Sequence, residues 1–196
     1  TVTVKNGATL DCQGNVLSGS ATFTTNSGGG LSTTNSAGFT SSGASGSIQT
    51  TGTRTYNAAT NYTFNSGATN TGNAILAGAK DITINNSSGV TLTSACSATG
   101  TITLSSGTLD LGSNNLTVTN SATAAISAGS STNYIKTSST GKLIRAISST
   151  GLPLTYAFPI GTTVYSPASF TFTSLNANSN LTVKVTGATY GSMGAQ

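Results

Sequence analysis

The 196-residue chain has no histidine, no tryptophan and no glutamate, and only three aspartates, two cysteines and one methionine. Each scarcity removes a class of chemistry. Without histidine neither a Ser-His-Asp triad nor a Cys-His pair can be assembled, and a zinc site could draw on two thiols at most. Three scattered aspartates cannot build an EF-hand loop. Charged residues are 5% of the chain, against about 25% in ordinary globular proteins. The net charge of +4 reflects missing acids more than abundant bases. Lys5, Arg54, Lys80, Lys136, Lys142, Arg145 and Lys184 form no stripe of the kind nucleic acid requires, so no nucleic-acid partner is expected. No run of 18 apolar residues exists, so no membrane span is expected. The composition points to no cofactor, no metal site and no catalytic residue.

What is present is Ser, Thr, Asn and Gly, which together make 111 residues. Hydrophobic residues still reach 35%, spread evenly, which argues for a folded chain rather than a disordered one. Short runs alternate apolar and polar with β-branched residues: Thr1–Val4, Ala8–Cys12, Ala21–Thr24, Asp81–Ile84, Val90–Thr93, Thr101–Leu104, Thr108–Leu111 and Leu116–Thr119. This period of two predicts strands. Between them stand Asn6-Gly7, Gly14-Asn15, Ser27–Gly30, Ser88-Gly89, Ser106-Gly107 and Gly112–Asn114, residues suited to tight corners. No helical periodicity exceeds two turns. The expected class is all-β, either a sandwich or a parallel β-helix (β-solenoid).

Repetition favours the solenoid. Thr9-Leu10-Asp11 recurs as Thr108-Leu109-Asp110, an offset of 99 residues, or about five coils of about 20 residues. Coils would stack about 4.8 Å apart, with aliphatic columns inside, Thr and Ser outside, and asparagines bonding along a ladder. The first 130 residues hold no proline, whereas Pro153, Pro159 and Pro167 lie close together. A strand paired on both edges has no place for a residue lacking N–H. The expectation is a solenoid over 1–150 and a β-rich segment over 151–196, resembling the start of a sandwich and cut off. Because Thr1 already stands in a strand pattern, the chain is expected to be a processed product or a piece of a longer one.

Several segments occur together in a recognisable order: Val2–Cys12, Gly52–Asn57, Asn61–Asn65, Ile82–Leu92, Gly107–Thr117, Tyr134–Thr137, Gly141–Arg145 and Phe158–Gly161. The whole resembles the β-helical repeat region of large secreted, cell-surface adhesin-like proteins of Bacteroidota, cargo of the type IX secretion system. That resemblance covers nearly the entire chain. It implies a right-handed β-helix, extracellular or at the cell surface; the C-terminal sorting domain of such proteins has no counterpart here.

Four groups of residues invite a functional reading. Asp11, Asp81 and Asp110 are the only acids, and glycoside hydrolysis would need two of them about 5–10 Å apart. Asp81 and Asp110, one or two coils apart, are the feasible couple. The alternative is that each aspartate caps the turn after its strand. Cys12 and Cys96, 84 residues apart, are about four coils and about 20 Å distant, too far for a disulfide, which points to buried free thiols. Thr-x-Thr pairs (Thr1/Thr3, Thr22/Thr24, Thr53/Thr55, Thr91/Thr93, Thr101/Thr103, Thr117/Thr119) could order water on a flat face, but only in vertical register, and their irregular spacing argues against that. Tyr56, Tyr62 and Phe64 could stack on sugars, though core packing is the ordinary fate of aromatics. Sequons at Asn61, Asn85, Asn86, Asn115 and Asn180 are expected by chance in this composition.

These readings lead to a non-enzymatic structural or adhesive module, a rigid spacer of an extracellular surface protein. Its partners would be cell-surface or extracellular polysaccharide and further copies of itself. The alternatives are a polysaccharide-binding or polysaccharide-cleaving β-helix and a filament subunit.

Overall fold

In the computed structural model, residues 1–186 are described; 187–196, the tail of the expected C-terminal segment, lie outside the described residues. The chain is all-β, with no α-helix among the described residues and a single 3-10 turn at Asn73–Ala77. Most strands are two to five residues long, as the short alternating runs dictate.

The longest sheet is parallel throughout and links Thr9–Asp11, Gly30–Thr33, Asn61–Asn65, Ile82–Asn85 and Ile102–Ser106. Successive members come one rung later in the chain. The same holds for Val2–Val4, Phe23–Thr25 and Arg54–Thr55, and for Leu17–Gly19 with Ile48–Thr50. It holds again for Val90–Thr91, Leu109–Asp110, Ile135–Lys136 and Ile160–Gly161. A further sheet runs Cys96–Ala98, Leu116–Val118, Leu143–Ile147 in parallel and then takes Ser179–Val183 antiparallel. Leu154–Phe158 and Ala168–Phe172 form an antiparallel pair. Parallel sheets with this connectivity are consistent with a β-helix-like fold.

The interior is built from register. Leu10, Leu31, Tyr62, Ile82 and Ile102 stand in one column, and Thr33, Phe64, Ile84 and Leu104 in the next. Val90, Leu109, Ile135 and Ile160 make another. All of these apart from the half-buried Leu10 are buried, and each such aliphatic side chain contributes about 1.5–3 kcal/mol. The rungs are unequal. Tyr62 to Ile82 and Ile82 to Ile102 are 20 residues each. Val2 to Phe23 is 21, whereas Phe23 to Arg54 is 31, the excess lying in the loop between Thr33 and Ile48. The Thr-Leu-Asp recurrence therefore joins two different sheets, not equivalent positions of one.

Two expectations about side chains are corrected. Threonine is not only an outward residue: Thr25, Thr33, Thr50, Thr60, Thr71 and Thr137 are buried, and most satisfy their hydroxyls locally, as in the 2.7 Å bond between Thr25 and Thr60. Asparagine forms little of a ladder, with one amide-to-amide bond from Asn85 Nδ2 to Asn65 Oδ1. Instead its amides rivet corners to the preceding rung. Asn86, Asn114, Asn120 and Asn133 donate through Nδ2 to the carbonyls of Ala68, Leu92, Gly100 and Ser105, at 2.7, 2.8, 3.2 and 3.2 Å. A corner leaves backbone acceptors without a ladder partner, and a short amide reaches them.

The prolines fall just outside strands. Pro153 precedes Leu154–Phe158, Pro159 separates that strand from Ile160–Gly161, and Pro167 precedes Ala168–Phe172. None is asked for an N–H, while the Pro159 carbonyl accepts from Ile135 N at 2.8 Å.

Candidate functional site

The aspartates do not converge. Asp11 accepts from Gln13 N at 3.2 Å and Asp110 from Gly112 N at 3.0 Å, both capping the turn after a strand. Asp81 acts differently. It stands before the strand Ile82–Asn85 and accepts from Thr101 N at 2.7 Å and Thr101 Oγ1 at 2.8 Å, one rung on. Asp110 lies beyond the far end of the strand that Thr101 introduces, around a corner and in another sheet. Ile102–Ser106 is five residues long, or about 16 Å at the usual rise, so a whole strand and a corner stand between the Thr101 end that holds Asp81 and the turn that Asp110 caps. Asp110 pairs with Lys136 at 3.3 Å and also accepts from Ser138 Oγ. That surface pair contributes about 0–1 kcal/mol. Among the described residues no group of three or more His, Cys, Asp or Glu side chains gathers.

Both cysteines are buried and free. Burial pushes the Cys96 thiol up to about 12. Burial, and then the charge of Asp11, raise that of Cys12. Tyr62 and Phe64 stack at 6.3 Å, with Phe39 tilted against both, and all three rings are inside. Tyr56 packs on Phe23 at 5.6 Å. These aromatics are core, not a sugar platform. Burial raises the phenols of Tyr56 and Tyr62 as well.

A pH dependence follows. An acid whose folded pKa is raised favours the folded state while protonated, so the stabilisation is complete below the ordinary thiol value of about 8.5 and drains away as the pH climbs. For Cys96 alone the loss between about pH 8.5 and 12 is on the order of 5 kcal/mol. Urea midpoints measured across this range should fall steeply, and Cys96→Ala should flatten the fall. Native thiols should resist a disulfide reagent at pH 8 and react once urea is added. A flat alkaline profile would contradict the burial of these groups.

The Thr-x-Thr pairs require a correction. Val2 faces Phe23, which faces Arg54, so Thr1/Thr3, Thr22/Thr24 and Thr53/Thr55 do stand in vertical register on one sheet. Thr22 Oγ1 donates to Thr1 Oγ1 at 2.8 Å. The irregular spacing in sequence hid this, because the long second rung loops out and returns in phase. Thr91, Thr103 and Thr117, from the other three pairs, fall in three different sheets.

Sequence reasoning counted the two arginines only as scattered bases. Each occupies an inward position. Arg54 follows Val2 and Phe23 in one column, and Arg145 follows Ala98 and Val118 in another. Alternation with Tyr56, and with Leu143 and Ile147, was the signal that could have found them. Arg145 is 0% exposed. Its Nη1 donates to Ala157 O at 2.7 Å and its Nη2 to Ala122 O and Thr123 O, while the guanidinium lies over Tyr156 at 4.9 Å. Arg54 is half-buried and donates to Thr50 O, Thr40 O, Thr40 Oγ1 and Gly43 O. Both arginines collect carbonyls where the regular ladder gives way to irregular chain.

Around Arg54 this produces a ledge. Ile48–Thr50 and Arg54–Thr55 are each the last strand of their sheet, so the edge from Gln49 to Arg54 carries no further strand among the described residues. The loop added by the long rung, with Ser41 and Ser42, walls a groove of about 610 Å³ over this edge. Across Arg54 a second hollow of about 400 Å³ runs between Tyr56 and the 3-10 turn bearing Leu76. Leu76 is 65% exposed.

No family model, curated protein or solved structure matches this chain. No helix among the described residues is long and apolar enough to cross a membrane.

Proposed function

We propose that the chain is a non-enzymatic structural and adhesive module of an extracellular or cell-surface protein: a right-handed parallel β-helical spacer, with a β-rich segment after about residue 150, that contacts polysaccharide. The observation that carries this reading is the continuous register of buried columns from rung to rung. Each rung buries apolar surface on the last and offers its other edge to the next, so length is gained by repetition and stiffness follows. The carboxylates support it too, since each is engaged by backbone or neighbouring hydroxyls rather than aimed at a common point.

A second reading, a filament subunit, is favoured by one feature. Val2–Val4, Thr9–Asp11 and Leu17–Gly19 pair on one side only among the described residues, and Val16 beside them is 41% exposed. Such an edge can template another strand, from a second copy or from chain preceding Thr1.

Incubation with a panel of neutral and acidic polysaccharides tests the first reading. Retention on some of them without release of new reducing ends is expected, with no difference when Asp81→Asn and Asp110→Asn are combined. Cleavage abolished by that double variant would overturn the non-enzymatic reading. Electron micrographs of the same material should contain separate particles, and fibres would promote the filament.

A further inference from the structure

We propose that the ledge around Arg54 is a binding groove for an anionic oligosaccharide, in which the guanidinium receives a sugar carboxylate or sulfate. This rests on the reading of the module as one that contacts polysaccharide, and it gives that contact a place and a charge class.

Arg54 is a fixed cation. All three of its nitrogens reach protein acceptors, Nε to Thr50 O at 3.0 Å, Nη1 to Thr40 O and Thr40 Oγ1 at 3.2 Å each, and Nη2 to Gly43 O. One Nη2 hydrogen is left over. Every one of these partners is neutral, so the charge is met by dipoles alone. No carboxylate lines either hollow, and the one ion pair among the described residues is Lys136 with Asp110. A guanidinium held in place and lacking a counterion suits an external carboxylate or sulfate.

The walls supply the rest of the recognition. Ser41, Ser42, Gln49, Thr51 and Thr53 bring short neutral donors and acceptors to the larger groove, the groups that match ring hydroxyls. Across Arg54, the exposed Leu76 gives a small apolar surface for the C–H face of a ring. The volume of about 610 Å³ falls within the usual range for ligand grooves. An added β-strand fits less well. The Arg54 side chain folds back over the edge and takes the Thr50 carbonyl that a strand would need.

Calorimetric titration of the full chain with hexagalacturonate, a sulfated hexasaccharide and a neutral galactan hexamer tests this. The acidic ligands should bind, more weakly as salt rises, and the neutral one should not. A preference between the two acids tells carboxylate from sulfate. Arg54→Lys should weaken binding about tenfold, because the planar fork is lost. That change also disturbs the loop, so Ser42→Asp combined with Thr53→Asp serves as the second variant. It adds negative charge to the walls, leaves every Arg54 partner in place, and should abolish binding without moving the melting temperature. Equal binding of the acidic ligands to this variant would overturn the site while leaving the contact with polysaccharide intact. Equal binding of the neutral hexamer would overturn the charge class. Failure to bind any glycan by either titration or the polysaccharide panel would remove the broader reading with it.

Discussion

Arg145→Met is expected to lower the free energy of unfolding by roughly 4 kcal/mol, and Arg145→Lys by about half as much. The guanidinium is wholly inside, yet no acid accompanies it. Its stability comes from three carbonyls and from the faces of Tyr156 and Phe158, at 4.9 and 5.8 Å. Methionine fills the space and adds apolar contact, but it leaves the acceptors of Ala122, Thr123 and Ala157 without that donor in a low-dielectric interior. Lysine keeps the charge and three donors, but one compact ammonium cannot stand at the Nη1 and Nη2 positions at once. Burial also lowers the pKa of Arg145, against a smaller opposing effect of Tyr156. Chemical denaturation of the three proteins is the measurement. If Arg145→Met were as stable as the parent, the carbonyl-collecting role would be wrong, and the arginine would be merely tolerated, as some buried ions are.

Asn86→Asp should cost roughly 3–5 kcal/mol near neutral pH, and Asn86→Ala roughly 2. Asn86 is 1% exposed and turns the corner between Ile82–Asn85 and Val90–Thr91. Its Nδ2 donates to Ala68 O on the preceding rung at 2.7 Å and to Gly89 O at 3.1 Å, while Oδ1 accepts from Ser88 N. Aspartate turns the donor into an acceptor facing two carbonyls. Its folded-state pKa would rise, so the deficit should shrink as the pH falls towards the unfolded value of about 3.9 and reappear above it. Urea titrations at acidic and neutral pH distinguish this from simple loss of packing, which would not change with pH. The corner is crowded as well. Gly107 on the following rung has a φ of +78°, and a Cβ there would strike the Asn86 carbonyl oxygen. The sequon at Asn86 is thus closed to modification in the folded protein.

Much of the strand content was readable from alternation. The runs beginning at Thr1, Ala8, Ala21, Asp81, Val90, Thr101, Thr108 and Leu116 all contain strands. Gly30–Thr33 was not readable. All four of its residues are buried, and neither a glycine at its head nor threonine at its end signals an interior strand. Column membership was also hidden wherever rungs differ in length. Thr22 lies above Thr1 and Thr53 above Thr22, although the two intervals differ. No fixed period could have aligned them, because backbone pairing in the sheet, not residue count, sets where a chain re-enters.

By itself, the sequence determined that this chain builds short strands around a mostly apolar interior and has no histidine-based chemistry. Those properties depend on local alternation and on which side chains exist at all. Tertiary structure alone decided which rungs stack, which threonines share a face, that Asp81 and Asp110 stay apart, and that two arginines point inward. Each of these is a relation between residues far apart in the chain. The energies of unpaired carbonyls and of side chains in vertical contact arise only once the rungs are in register.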